Sequence, residues 1–387
     1  MSVTAARGFV AAGIAAGIKS SGAPDLSLVA TADGRSVPSA GVFTRNKMTA
    51  APVITTRAHL EATGGRSVAV VLNSGNANAA TGAQGLADAR AMCAAVADAL
   101  GVEADAVLVC STGLIGIPMP IDTITAAIPA LVEARSTTGA SAAAGAIMTT
   151  DTHPKEIVVQ GDGFVVGGMA KGAAMLSPNM ATMLAVLTTD ADATPEQLKA
   201  ALLAGVADSF NILDVDGCTS TNDTVLLLAS GVAGSVDQAA LETAVAAACR
   251  SLAEQMCGDA EGATKVVRFS VAGATDDAQA LIGARYVSRS NLVKCSWYGC
   301  DPYWGRIASD LGSCGIDFDP ARLKVSYGGI TVCDGAVDAA HDAVAVAAHM
   351  AGRHLEIVAD LGLGGGAATI LTNDLSHAYI DENMGTS

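Results

Sequence analysis

Short apolar runs alternate with alanine-rich stretches of helical period along this chain. Residues 67–72 and 106–110 are apolar without alternation, the pattern of strands covered on both faces. Between them, 85–100 repeats at helical spacing and stops at Gly101, a residue suited to the left-handed conformation that closes helices. Residues 156–166 are broken by Gly161-Asp162-Gly163, which predicts a hairpin. A further apolar strand is expected at 183–188. Thr194-Pro195-Glu196-Gln197 predicts a helix start: Thr194 caps, Pro195 fits the first turn, and Gln197 completes a capping box. Beyond it the pattern predicts a strand at 224–229, a long helix at 236–257, a strand at 266–271 that opens a new lobe, and a helix at 336–351 closed by Gly352. The residues after it alternate strand and loop. Strict βαβ repetition is missing, so the pattern favours an α/β protein with mixed sheets over a plain doubly wound sheet.

The chain has 387 residues, of which 51% are apolar and 42 are glycine, enough for a large and tightly packed core. Aromatic residues make up 3% and the net charge is −16. An acidic chain with few stacking rings repels a phosphate backbone, so no nucleic-acid partner is expected. The nine cysteines are odd in number and include no CxxC, which fits a reduced, cytoplasmic protein. Cys295 and Cys300 form the closest pair but have no nearby histidine, so no metal is expected. The apolar start at 9–18 reads as a buried strand and loop, because no small-residue cleavage site follows it. No apolar, glycine-free run reaches the length of a membrane span, so no membrane partner is expected.

Candidate chemistry concentrates in a few segments. The first is Lys171-Gly172-Ala173-Ala174-Met175-Leu176-Ser177-Pro178-Asn179-Met180-Ala181-Thr182. Pro178 forbids helix here, so Thr182 sits at a junction between a loop and the expected strand, with Gly167-Gly168 read as a turn on the other side. A threonine hydroxyl becomes nucleophilic beside a base, and its own α-amine can be that base once the Ala181–Thr182 bond is cut. A structural threonine in an ordinary loop would look the same. The second segment, Cys110-Ser111-Thr112-Gly113-Leu114-Ile115-Gly116, offers a hydroxyl and exposed N–H groups after a buried strand, the parts of an oxyanion hole, or simply a glycine turn. The third, 148–155, contains Thr149, Thr150, Asp151 and His153 and suits polar ligand binding or a solvated turn; His153 beside Pro154 reads as part of a turn. The fourth, 258–265, places Glu261 among small residues, where it can meet an ammonium or merely end a helix. The glycines Gly362, Gly364, Gly365 and Gly366 precede a strand rather than a helix, so they read as a turn and not a phosphate loop. Asp214-Val215-Asp216-Gly217 has its glycine too early for a calcium loop.

Taken together these motifs resemble the ornithine acetyltransferase (glutamate N-acetyltransferase) family of arginine biosynthesis. The resemblance covers essentially the whole chain. It includes 13–21 (GIAAGIKSS), 41–45 (GVFTR), 73–82 (NSGNANAATG), 111–113 (STG), 148–155 (MTTDTHPK), 171–184, 220–224 (STNDT), 259–265 and 299–306 (GCDPYWGR). It implies self-cleavage at Ala181–Thr182 into an α chain, 1–181, and a β chain, 182–387. It implies acetyl transfer from N2-acetylornithine to glutamate through an acetyl ester on Thr182, with no cofactor, in an α2β2 or larger assembly. Thr112 and Gly113 are then the oxyanion hole, and Thr150, Lys171, Thr182, Glu261 and Asn383 bind substrate. A hydroxyl near the end completes that set, but the tail is one residue short and lacks the usual tyrosine, so Ser387 and Thr386 both qualify. Asn76 stands where some members have glycine, and Ala174 where glycine is common; little effect is expected of either. Pattern and resemblance together imply an α/β (α+β) fold: a layered α-β-β-α sandwich of mixed sheets over about 1–265. A smaller α/β C-terminal lobe, 266–387, follows, its tail returning to the active site. The same autoprocessing logic serves amidases and aminopeptidases, and part of the family also uses acetyl-CoA to make N-acetylglutamate. A non-catalytic amino-acid-binding protein would never process itself.

Overall fold

The computed structural model describes residues 2–177 and 183–384. The chain forms two compact units, one of Met1–Asn211 with Cys218–Met256, the other of Ile212–Gly217 with Cys257–Ser387.

The strands of the first unit are β1 (Phe9–Ile14), β2 (Leu26–Thr31), β3 (Val37–Phe43), β4 (Arg66–Ser67), β5 (Ala69–Asn73), β6 (Val107–Ser111), β7 (Lys155–Gln160), β8 (Val165–Lys171), β9 (Leu184–Asp192) and β10 (Thr224–Ser235). Its helices are α1 (Ala51–Ala62), α2 (Gly82–Leu100), α3 (Ile121–Glu133), α4 (Ala140–Ala146), α5 (Pro195–Ala207) and α6 (Gln238–Gly258), the last contributing its residues up to Met256. One sheet has the order β1-β2-β5-β6 and the other β4-β3-β10-β9-β8-β7. Both are mixed: β5 and β6 pair in parallel, as do β9 and β10, while the other neighbours are antiparallel.

The two sheets share one core, where Phe9, Val29, Leu72 and Leu108 of the first meet Met169, Leu184, Val186 and Leu226 of the second. Each such side chain contributes about 1.5–3 kcal/mol by leaving water. The first sheet's other face packs Val10, Leu28, Val71 and Val109 on Met92 and Val96 of α2 and on Ile124 and Ile128 of α3. Helices α5 and α6 cover the second sheet: Gly168 of β8 lies under Leu252, and Gly205 of α5 against Cys249. This is the α-β-β-α layering expected from the sequence. Apolar runs without alternation are accounted for, since β2, β5 and β6 are buried along their whole lengths.

Local signals hold where they were specific. Gly101 closes α2 in the left-handed conformation with φ of 71°. At α5, Thr194 Oγ1 accepts from the Gln197 N–H at 3.3 Å and Gln197 Oε1 accepts from the Thr194 N–H at 2.9 Å, so the capping box is complete. Strands β7 and β8 form the expected hairpin. Gly167-Gly168, however, is not a turn but the middle of β8. A Cβ on Gly167 would lie 2.0 Å from the Ser2 carbonyl oxygen, a close backbone approach, and one on Gly168 would lie 2.4 Å from the Leu187 side chain.

The second unit holds β11 (Val266–Ala274), β12 (Lys324–Tyr327), β13 (Ile330–Asp334), β14 (Val337–Asp338), β15 (His354–Asp360) and β16 (Gly366–Asn373), in the order β14-β13-β12-β15-β11-β16. Its helices are α7 (Asp277–Ser288), α8 (Asn291–Tyr298), α9 (Gly305–Ser313), α10 (Ala343–Ala351) and α11 (His377–Asn383). The helix expected at 336–351 is shorter. Ala336 is left-handed at φ of 57°, Val337–Asp338 pairs as β14, and α10 begins only where Asp342 accepts from the Val344 and Ala345 N–H groups. Gly352 ends it in an extended conformation rather than a left-handed one. Gly362, Gly364 and Gly365 lie in the turn between β15 and β16, and Gly366 begins β16. Asp214 holds Arg289 at 2.8 Å and the Gly217 N–H at 3.2 Å, which makes its loop an ion-paired turn. Among the described residues no helix is long and apolar enough to cross a membrane.

Candidate active site

Strands β5 and β6 run in parallel and end side by side at Asn73 and Ser111. The loops that leave them stay together. The Thr112 N–H donates to the Asn73 carbonyl at 3.0 Å, and the Ala77 N–H to that of Leu114 at 2.9 Å. Asn222 fastens both loops, donating to the carbonyls of Ala77 at 2.6 Å and Ser111 at 2.8 Å. Asn76 adds bonds to the carbonyls of Pro118 at 3.0 Å and Ile117 at 3.2 Å while accepting from the Asn78 N–H at 2.8 Å. A glycine at 76 could make none of these, so the asparagine is part of the frame rather than a neutral replacement.

The frame holds Gly113 at φ of +133°, with space for a Cβ only 2.3 Å from the Gly75 carbonyl carbon. Beside it, Lys171 Nζ donates to Thr112 Oγ1 at 3.3 Å. An ammonium only donates, so Thr112 Oγ1 accepts here and keeps its own hydrogen for another acceptor. A hydroxyl hydrogen and an N–H at adjacent positions suit a developing oxyanion. Cys110, two residues earlier, is no competitor: burial pushes its thiol up to about 12 against a small opposing effect of the Thr224 hydroxyl.

Lys171 ends β8, and Gly172 after it donates its N–H to Asp151 Oδ1 at 2.8 Å. The same oxygen lies 2.5 Å from Lys155 Nζ, with both side chains fully buried. Asp151 Oδ2 accepts from the Thr149 N–H at 2.9 Å, which fixes the segment carrying the exposed Thr150. Burial would raise the Asp151 carboxyl, but Lys171, Lys155 and these hydrogen bonds outweigh it and hold it well below the usual carboxylate range. His153 is exposed and bonded to Thr152 at 3.1 Å, in keeping with a turn.

Two residues of this region carried no role in the sequence reading. Lys19, half-buried, donates to the carbonyls of Met148 at 2.8 Å and Pro24 at 2.9 Å. Asp223 is buried, and neither oxygen meets a donor in hydrogen-bond geometry among the described residues. Burial raises its carboxyl well above the usual range, opposed by the nearby Ser220 hydroxyl, the Met183 N–H and Lys171. Both lie in motifs quoted above, 13–21 and 220–224, but neither motif says what faces what.

In the second unit, Glu261 is buried and Asn383, at the end of α11, donates to it. Ser376 positions that helix, capping it at the Tyr379 N–H and donating to the Gly262 carbonyl at 2.6 Å. Gly262 is left-handed at φ of +66°, and a Cβ there would lie 2.6 Å from Ala378. Thr112, Gly113, Thr150 and Lys171 thus gather in the first unit, and Glu261 and Asn383 in the second. Ala181, Thr182, Thr386 and Ser387 lie outside the described residues.

Comparison with known proteins gives a consistent picture. The model of the ArgJ family matches residues 10–385. The arginine biosynthesis bifunctional protein ArgJ of Mycobacterium leprae is 50% identical over 394 residues, covering 100% of this chain and 95% of that protein. Its namesake from Streptomyces coelicolor is 48% identical and covers 100% of each. A crystal structure of ornithine acetyltransferase complexed with ornithine, from Mycobacterium tuberculosis, is 47% identical with a TM-score of 0.42, covering 46% of this chain and 96% of that one.

Proposed function

The chain belongs to the ArgJ family, and from that premise we propose that it is an acyltransferase of arginine biosynthesis, moving acetyl from N2-acetylornithine to glutamate. The observation that carries this reading is the close match along the whole chain to proteins named for that pathway. The Thr112–Gly113 turn supports it as a site built for acyl chemistry.

Thr182 acts twice. Its hydroxyl attacks the Ala181 carbonyl carbon; as the C–O bond forms the C–N bond breaks and frees the α-amine, and water then hydrolyses the ester to give back the hydroxyl and leave a carboxylate on Ala181. That amine, with an ordinary pKa of about 7.7–8.0, is then the base that takes the hydroxyl proton during acetyl transfer. The hydroxyl attacks the acetyl carbon of N2-acetylornithine, ornithine leaves with the proton on its nitrogen, and the glutamate amine attacks the ester. The Thr112 hydroxyl and Gly113 N–H hold the oxyanion in both tetrahedral intermediates. By the family resemblance Thr150, Lys171, Glu261 and Asn383, with Ser387 or Thr386, are substrate-binding residues; a lysine suits a carboxylate and a glutamate an ammonium. The relatives' name, bifunctional, favours a second activity, with acetyl-CoA as donor to the same threonine. The cut chains then assemble as α2β2 or larger.

The direct test supplies purified protein with N2-acetylornithine and glutamate. N-acetylglutamate and ornithine are expected in equal amounts. Release of acetate at the same rate with and without glutamate would make the protein an amidase instead. Gly113→Ala is expected to lower kcat by at least about a hundredfold, because the new methyl displaces an oxyanion donor. Steady-state kinetics check this, and a kcat within tenfold of wild type would remove Gly113 from the oxyanion hole.

A further inference from the structure

A ring of contacts surrounds the Thr112–Gly113 turn. Gly113 packs against Gly75, and Gly75 leaves only 3.1 Å between a Cβ position and Lys19 Cγ. Lys19 Nζ bonds to Met148; three residues on, Asp151 accepts from Gly172; and Lys171 returns to Thr112. Two ammonium groups, those of Lys19 and Lys171, therefore belong to this ring.

The two carboxylates that act on Lys19, Asp25 and Asp151, are already engaged. Asp151 faces Lys155 at 2.5 Å and takes the N–H groups of Gly172 and Thr149. Asp25 is buried and accepts from three backbone N–H groups, those of Ala16 and Ile18 at 2.6 Å and of Lys19 at 2.9 Å. Among the described residues no carboxylate lies within ion-pair distance of Lys19 Nζ. The ammonium has three donors, and backbone carbonyls take two of them. Burial lowers the Lys19 pKa, Asp25 and Asp151 raise it, and the charge of Lys171 lowers it further. With those two carboxylates acting only at a distance, the half-buried cation is suited to an anion that a ligand brings into direct contact.

Building on the acetyl-transfer reading above, we propose that Lys19 binds the second carboxylate of a dicarboxylic amino-acid acceptor and so selects glutamate over neutral amino acids. Both substrates carry an α-carboxylate, but only the acceptor carries another. Lys171 touches the oxyanion turn and suits the shared group, whereas Lys19 packs on Gly75 next to that turn and is assigned the group that only the acceptor has. The same charge repels the ornithine side-chain ammonium, so one residue favours the acceptor and disfavours the product it must follow.

The test compares glutamate with glutamine, equal in shape but lacking the second charge, as acceptors of acetyl from N2-acetylornithine. Lys19→Met is expected to raise the glutamate KM about ten- to hundredfold while the glutamine KM stays within about threefold, the loss of one charge-assisted hydrogen bond. Lys19→Arg is expected to restore most of the preference. If Lys19→Met fails to fold, Lys19→Gln, which keeps N–H donors for the backbone carbonyls, gives the same reading. Unchanged preference in an active variant overturns the assignment, as does an equal rise in both acceptor KM values, the mark of a residue that only anchors its loop. Wild-type protein that forms no N-acetylglutamate sinks the acetyl-transfer reading itself, a result distinct from either of these.

Discussion

Thr182→Ala is expected to yield one full-length chain where the wild type yields two, and to lower acetyl transfer by about 10⁴-fold or more. Both losses have one origin. Without the hydroxyl there is no N→O shift, so no α-amine appears; without hydroxyl or amine there is neither nucleophile nor base. Thr182→Ser keeps both groups and should still process. Intact mass spectrometry reads the cleavage, and single-turnover acetylation reads the chemistry. A Thr182→Ala protein still cut after Ala181 would show that another group performs the cleavage. In the processed wild type, activity should fall as pH drops below about 8 and the amine gains a proton.

Asp151→Asn carries the largest expected cost in stability, about 3–5 kcal/mol, because it removes the carboxylate facing a fully buried Lys155 ammonium. The sign with pH follows from the direction of the shift. The folded carboxyl lies below its unfolded value, so its stabilisation is fully present above the unfolded pKa of about 3.9 and is lost as pH falls from there through the folded value. Urea denaturation of wild type and variant should therefore differ most near neutrality and converge in acid. Adding Lys155→Met to Asp151→Asn should recover part of the loss, since no buried cation is then left facing a neutral amide. If the single variant matches wild-type stability at neutral pH, the pair contributes nothing.

What could be read from sequence was local or shared with a family. The Thr194 capping box, Gly101 and the 161–163 turn each encode their outcome within a few residues, and each formed. Helices α7, α8 and α9 span only 12, 8 and 9 residues, which leaves little room for a period to show; Asp276, whose side chain accepts from the Gln279 N–H, is the local signal that marks the first of them. Residues 336–342 misled, because an alanine-rich stretch suggests helix whereas Ala336 is held left-handed. At the site, motifs named Thr112, Gly113 and Lys171, yet the frame that aims them depends on partners far away in the chain. Asn222 bonds to Ala77 and Ser111, and Lys19 reaches Met148. Hydrogen bonds of that kind leave no periodicity and follow only from the fold.

The order of the second sheet sets what a break at Ala181–Thr182 would do. Strands β9 and β10, which follow the break, lie side by side, with β3 on one flank and β8 on the other, both from before it. The two pieces would remain zipped together by two ladders of backbone hydrogen bonds and a shared interior. Such pieces are not subunits that meet and part. Made separately, the later piece would bare both edges of its strand pair to any passing chain, and the earlier one would lack the centre of its sheet. Synthesis as one polypeptide, cut only after folding, spares both pieces that exposure.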